Sequence, residues 1–251
     1  AVPRALSSTL RVRLRTAVQR VEPGDGGPIL VRAADPAGQA TLEADRVILA
    51  TPAPVALALL PDPEAALGPE EAAFLRSIRY VSNLTTAVAY ASRPEERAYG
   101  VSVPLAVGSK LAAIGWEHLK EPGRVPAGSG LAILMPTHSY SLARGDGNDE
   151  EVGAELIAAA DGLYPGSRAH AQWHRTQHWE HAMPVLQPGW SRALANVLSV
   201  QSEKGRKVFT CGDYWLGPTT ESALVSGVRA AAAVLRSLGR AGDRMEEMDL
   251  L

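Results

Sequence analysis

The reading of the fold starts from one stretch near the end of the chain. Val208-Phe209-Thr210-Cys211-Gly212-Asp213-Tyr214 is followed closely by Gly217-Pro218-Thr219-Thr220-Glu221-Ser222-Ala223-Leu224-Val225-Ser226-Gly227 and then Ala230-Ala231. A short apolar strand ends in Gly-Asp, a loop crosses, and a long helix over Thr219–Leu238 begins after Pro218. Each part suits the binding of an anionic, hydroxyl-bearing cofactor. Gly212 has no Cβ where a ligand must come close to the backbone. Asp213 accepts hydrogen bonds from hydroxyls, and the helix N-terminus offers unpaired N–H groups and a positive dipole end. On the helix Leu224, Val228, Ala231, Leu235 and Leu238 form an apolar stripe, while Ala223, Gly227 and Ala230 permit close packing. On spacing alone, a plain core helix after a Gly-Asp turn fits equally well.

Working outward, a second short apolar run, Val47-Ile48-Leu49-Ala50-Thr51-Pro52, has the density of a strand buried on both faces of a parallel sheet. Before it lies a predicted meander. Alternating branched and arginine residues over Leu10–Glu22 are followed by Ile29-Leu30-Val31, a turn at Asp35-Pro36-Ala37-Gly38, and Ala40–Glu43. Helices are predicted over Val55–Leu60 and Pro69–Ile78, separated by the breakers Pro61-Asp62-Pro63. Strands are predicted over Leu84–Tyr90, Val101–Pro104, Leu111–Trp116 and Leu131–Pro136. A helix over Asp149–Leu163 has an acidic first turn and stops at Tyr164-Pro165-Gly166, and a strand follows over Arg168–Trp179. The fold class is mixed α/β.

With 251 residues, 46% hydrophobic and 21% charged, the composition is that of a globular protein. A net charge of -2 excludes the basic footprint of a general nucleic-acid binder. One cysteine, Cys211, excludes an intramolecular disulfide framework and a multi-cysteine zinc site. It reads as a small buried hydrophobe. No apolar run approaches the roughly 18–20 residues of a membrane span, and no signal peptide opens the chain. The expected location is therefore cytoplasmic, and the initial Ala1 in place of Met suggests a chain cut from something longer.

Gly-Asp-Tyr followed by Glu-Ser-Ala-x-x-Ser-Gly-x-x-Ala-Ala resembles the C-terminal FAD signature of the flavin-containing amine oxidase, protoporphyrinogen oxidase and phytoene desaturase superfamily. Ser222 stands where that signature often has glycine. Ala44-Asp45-Arg46-Val47-Ile48-Leu49-Ala50-Thr51-Pro52 is similar to the superfamily's Ala-Asp-x-Val-Ile-x-Ala-x-Pro segment, and Val18-Gln19-Arg20-Val21 to a strand that packs on adenine. Trp179, Ala182-Met183-Pro184 and Pro188-Gly189 resemble its substrate-side Trp-x-x-Ala-x-Pro segment. The resemblance implies cofactor contacts at Gly212, Asp213, Glu221, Ser222, Ala223 and Leu224, with Val18 and Thr51 as further candidates. It implies Trp179 and Trp215 as substrate-side residues. It points to no catalytic acid or base. Asn83–Tyr90, where amine oxidases often carry a lysine, has none, which leans toward the protoporphyrinogen oxidase and desaturase side.

Members of that superfamily open with a Gly-x-Gly-x-x-Gly unit that cradles the FAD diphosphate, and this sequence contains no such run. The resemblance therefore implies part of an FAD-dependent oxidoreductase acting on a small molecule by hydride transfer to flavin. Residues 10–53 and 205–239 would form a partial FAD-binding domain, 54–204 an inserted substrate domain, and 240–251 a flexible tail. The nucleotide-binding half would come from a missing N-terminal part or a partner chain, and FAD would be held weakly or not at all by this chain alone. The alternative is a non-catalytic, truncated or partner-completed subunit.

His170, His174, His178 and His181 invite a different reading as a metal face, and a zinc enzyme using this run is the minor alternative. As a strand, residues four apart stand about 13 Å apart, too far to share an ion with Zn–N bonds of about 2 Å. No metal site is expected. A polar strand face, partly solvated or lining a substrate cleft, is the expectation.

Overall fold

The computed structural model describes residues 2–240 apart from 25, 97, 122, 146 and 201–204, so the expected tail lies outside it from residue 241 on. The elements run α1 (Val2–Ser7), β1 (Ala17–Glu22), β2 (Ile29–Asp35), β3 (Gly38–Ala44), β4 (Val47–Leu49), α2 (Ala53–Leu59), α3 (Pro63–Leu67) and α4 (Pro69–Ser77). Next come β5 (Arg79–Tyr90), β6 (Gly100–Ser102), β7 (Leu111–Trp116), α5 (Glu117–Lys120), β8 (Gly130–Pro136), α6 (His138–Arg144) and α7 (Asp149–Leu163). The last four are β9 (Ala171–Val185), α8 (Trp190–Val200), β10 (Val208–Thr210) and α9 (Thr220–Ser237). The fold is mixed α/β, as expected. The chain divides into two compact units, Ala1–Arg79 with Pro184–Leu251 and Tyr80–Met183.

In the first unit β1, β2 and β3 form an antiparallel meander whose β2–β3 turn is tied by the Asp35 carboxylate accepting from Ala37 N–H at 2.8 Å. The predicted strand from Leu10 starts only at Ala17. Ala17 pairs with Ala34 and β2 ends one residue later, so the preceding residues have no partner strand, and Leu10, Val12 and Leu14 are exposed. β4 and β10 pair in parallel, Val47 with Val208 and Leu49 with Thr210. All of β10 is buried, whereas Ile48 of β4 is 38% exposed, so burial on both faces holds for one strand of the pair and not for the other. Pro63 does not break structure. Asp62 caps α3 by accepting from Ala65 N–H at 3.0 Å, and the proline sits in the first turn, where its missing N–H costs nothing. The helices α2–α4 and α8 belong to this first unit, so its boundaries fall at 79/80 and 183/184 rather than at the expected 54 and 204. Contacts explain the shift: Phe74 of α4 packs its ring 5.2 Å from Trp215, and Trp190 of α8 donates its indole N–H to Tyr214 O at 3.2 Å.

The second unit is a five-stranded sheet of order β6-β7-β8-β5-β9 covered on one face by α7. Alternation puts Leu84, Val88, Ala132 and Leu134 on that face, where they meet Val152, Leu156, Ile157 and Ala160 of the helix. Asn148 caps α7 by accepting from Glu150 N–H at 2.8 Å. β9 begins at Ala171, because Ser167–His170 form a 3₁₀ turn, and its faces are the reverse of simple amphipathic expectation. His174, Thr176 and His178 turn inward, while Trp173 and Trp179 are about half exposed. The inward polar face has partners on α7 and β5. Thr176 Oγ1 meets Thr86 Oγ1 at 2.9 Å, His178 Nε2 meets Asp149 Oδ1 at 2.7 Å, and His174 Nε2 meets Glu150 Oε2 at 3.4 Å. Gly153 makes room for this arrangement, since a Cβ there would lie 2.1 Å from His174 Cδ2.

Candidate functional site

β4 and β10 end side by side. From the rung Leu49–Thr210, two further residues along each strand lead to Thr51 and Gly212. Ligands of parallel sheets bind at this carboxyl edge. Thr51 Oγ1 is buried there and has no hydrogen-bond partner among the described residues. Beyond Gly212, residues Asp213–Trp215 make one 3₁₀ turn, and Gly217, at a φ of 146° that favours glycine, leads into α9. Thr219 caps α9 by accepting from Ser222 N–H at 3.0 Å and also donates to the Ser222 hydroxyl at 2.8 Å. The N–H groups of Thr220 and Glu221 precede the first intrahelical bond and lie at the positive end of the 18-residue helix.

Several of the sequence-predicted residues thus come together: Thr51, Gly212, Asp213, Glu221, Ser222 and Ala223 all lie at the β4–β10 edge or on the first turn of α9. The remaining three are placed as follows. Val18 lies in the antiparallel meander, which shares no strand with this pair. Trp215 is 3% exposed against Phe74, so it packs the interior of the first unit instead of facing a substrate. Leu224 is 55% exposed. The apolar stripe of α9 is its more open side, and the buried side carries Val225, Ser226, Ala230 and Ala232. Close approach to β10 selects small side chains there. In the second unit Trp179 is fixed by its indole N–H donating to Thr85 Oγ1 at 2.8 Å, and it borders a cavity of about 360 Å³ with Asn83 and Ser141.

The role of Gly212 also differs from expectation. A Cβ on it would lie 2.4 Å from Tyr214 Cε1, so the glycine accommodates a ring of its own chain. Its N–H donates to Ser226 Oγ at 3.0 Å, and the same hydroxyl lies 2.9 Å from Gly212 O. Ser226 therefore clamps the strand end onto α9, a positioning role that the spacing alone did not assign. Cys211 is buried and burial pushes its thiol up, which leaves it unreactive. Among the described residues no three His, Cys, Asp or Glu side chains are grouped to hold a metal ion. His174 and His178 each pair with a separate carboxylate.

Partial burial pushes the Asp213 carboxyl above its usual range, opposed by backbone N–H groups of Tyr214 and of Asp213 itself. A raised folded-state pKa contributes stability below the ordinary carboxylate value and loses it as pH rises through the folded value. At neutral pH the charge is a net cost. Asp213→Asn will therefore leave the melting temperature at pH 7 unchanged or higher, with the difference shrinking as pH falls through the folded value and gone below about 4. Thermal melts at several pH values read this directly, and a clear loss of stability at pH 7 would contradict it.

Among the described residues no helix is long and apolar enough to cross a membrane. No curated protein sequence matches the chain. Solved structures share its fold. One assigned as a protoporphyrinogen oxidase from Exiguobacterium sp. 255-15 superposes with a TM-score of 0.70 at 16% identity, covering 95% of this chain and 51% of that one. Cyclohexylamine oxidase from Brevibacterium oxydans IH-35A gives a TM-score of 0.64 at 18% identity, covering 89% and 48%. Putrescine oxidase bound to putrescine gives 0.68 at 14% identity, covering 94% and 51%. The chain thus spans about half the length of the solved structures it resembles. Its sequence matches the family described as flavin containing amine oxidoreductase over residues 1–235, and the chain belongs to that family.

Proposed function

We propose that this chain supplies one side of the flavin site and the substrate-binding unit of an FAD-dependent oxidoreductase that oxidises a small organic molecule by hydride transfer to flavin. The observation that carries the reading is the β4–β10 carboxyl edge. It sets an unpartnered Thr51 hydroxyl, the Asp213 carboxylate and the open N-terminus of α9 around one strand end. These groups fit the hydroxyl chain and the electron-accepting ring edge of a flavin: Asp213 accepts from hydroxyls, Thr51 donates or accepts, and the helix end stabilises negative charge. When bound, the flavin supplies a two-electron acceptor; the chain's own residues position it and the substrate. The first compact unit takes the flavin-binding role and the second the substrate role. The sequence has no Gly-x-Gly-x-x-Gly run, so the diphosphate is held by polypeptide outside these 251 residues. Partner completion is favoured by apolar side chains left open on the first unit, Leu224, Leu238, Ile48 and Val18.

Titration of the 251-residue chain with riboflavin and with FAD, followed by flavin fluorescence, tests this reading. The expected result is weak binding, with the two affinities within about threefold. Asp213→Ala should weaken both about tenfold, as loss of a charge-assisted hydrogen bond does. Tight binding of FAD with a preference of about a hundredfold over riboflavin would place the nucleotide site in this chain and overturn the division of labour. Flavin binding indifferent to Asp213 would remove the site.

A further inference from the structure

The cavity that Trp179 borders, about 360 Å³ in volume, lies wholly within the second unit, between the start of β5, α6 and the middle of β9. Three of its lining side chains are each held by a hydrogen bond at one atom, which leaves the rest of the group free. The Asn83 amide is oriented through Oδ1, which accepts from Leu84 N–H at 2.9 Å and from Ser141 Oγ at 3.0 Å. A peptide N–H only donates, so the oxygen must face it, and the Nδ2 hydrogens are left over. Ser141, which braces the amide, is buried. His178 is oriented by Asp149, whose Oδ1 lies 2.7 Å from Nε2. A carboxylate only accepts, so Nε2 carries the hydrogen and Nδ1 of the neutral ring is an acceptor. The Trp179 indole is locked by its N–H donating to Thr85 Oγ1 at 2.8 Å, with half of the residue still open.

The free atoms are of both kinds. Asn83 Nδ2 donates, His178 Nδ1 and the Glu180 carboxylate accept, and the Ser82 hydroxyl does either. None of these four has a further partner among the described residues, and none is sealed from solvent, so each keeps surface that a ligand can reach. Ser82, Asn83 and His178 are half-buried, and Glu180 stands at the exposed rim. Leu84 and Gly145 complete the wall. An anion here would face Glu180. A cation would suit Glu180 and the indole face but would leave the Asn83 amide hydrogens without an acceptor. A neutral hydroxyl donates and accepts at once, so several hydroxyls on one ring meet all four groups while the ring's C–H face packs on the indole. The volume is at the small end for ligand clefts and suits a single ring.

We infer that this cavity binds a neutral monosaccharide. Asn83 donates to one of its hydroxyls, His178 and Glu180 accept from others, Ser82 completes the set, and Trp179 carries the ring. The inference concerns binding alone, uses no residue assigned to flavin and does not depend on that reading.

Titration of the 251-residue chain with D-glucose, D-galactose and D-mannose, followed by calorimetry and tryptophan fluorescence, tests it, with the matching uronates and cyclohexylamine as charged comparators. The expected result is a dissociation constant of about 10 mM or below for at least one sugar, with its uronate and the amine weaker by about fivefold or more. Trp179→Ala should weaken that sugar about tenfold. Glu180→Ala should weaken it about fivefold, and because Glu180 is exposed this variant tests the site without touching the fold. Asn83→Asp keeps the acceptor for Leu84 N–H and Ser141 and removes only the donor, so it should weaken binding about fivefold with the melting temperature little changed. No binding of any of the three sugars at about 100 mM, a charged comparator that binds as tightly as the sugar, or variants that bind like the parent would each overturn the assignment.

Discussion

Glu71→Ala will destabilise the first unit by about 3–5 kcal/mol, the loss typical when one member of a buried ion pair is removed. Glu71 is fully buried on α4, and its carboxylate meets the Arg206 guanidinium, whose side chain is 6% exposed. The other carboxylate oxygen accepts from Thr210 Oγ1 of β10 at 2.6 Å. Arg206 also donates to Val208 O at 2.8 Å and lies over the Phe209 ring at 5.5 Å. One network therefore joins the helix to the strand that carries Gly212 and Asp213. Removing the carboxylate leaves a buried guanidinium and a buried hydroxyl without their acceptor. The pair Arg76–Glu64 is a control within the same unit. Both its side chains are half exposed or more, and Arg76→Ala should cost about 1 kcal/mol or less. Urea denaturation of the parent and the two variants gives the comparison. Similar small losses for both would show that the buried network does not hold β10 in place.

Gly212→Ala should cost about 3 kcal/mol, at the upper end for overpacking a buried site. The φ of 163° at Gly212 is extended backbone that alanine adopts freely, so the cost is steric rather than conformational. The added methyl would lie 2.4 and 2.8 Å from two ring carbons of Tyr214. That ring is fully buried, and its hydroxyl donates to Cys211 O at 3.2 Å, so it cannot swing aside. A double-mutant cycle identifies the cause. In a Tyr214→Ala background, itself destabilised by a cavity, the added cost of Gly212→Ala should fall to about 0.5 kcal/mol or less. If the full cost persists there, the glycine is required for some reason other than the tyrosine ring.

Features set by local chemistry were legible in the sequence, and features set by a distant partner were not. α7 begins and ends where its acidic first turn and Pro165-Gly166 predict, and the meander turn falls at Asp35–Gly38. The strand ending in Gly212-Asp213 and the helix beginning after Pro218 were equally readable. Prolines misled because Pro63 interrupts a line of text but begins a helix in space. Period 3.6 marks an apolar stripe and a set of small residues on α9 but cannot say which side meets β10; of the small set Ala230 is buried, beside Val225, Ser226 and Ala232. The inward histidines of β9 depend on Gly153 and Asp149, more than twenty positions away. The same holds for Ser226 and Glu71, whose importance lies in what they touch: the Gly212 peptide for one, and Arg206 and Thr210 for the other.

The parallel pairing of β4 with β10 also has a consequence for the order of events during synthesis. The two strands lie about 160 positions apart in the chain, so their contact carries a large loop-closure entropy if the intervening segment is a coil. About two thirds of that separation is Tyr80–Met183, a contiguous unit with its own core that can form as it leaves the ribosome. Once it has folded, that share of the loop no longer adds to the closure entropy. The inserted unit thus lowers the entropy of bringing the two chain segments of the first unit together, and it has a core of its own that includes neither of them.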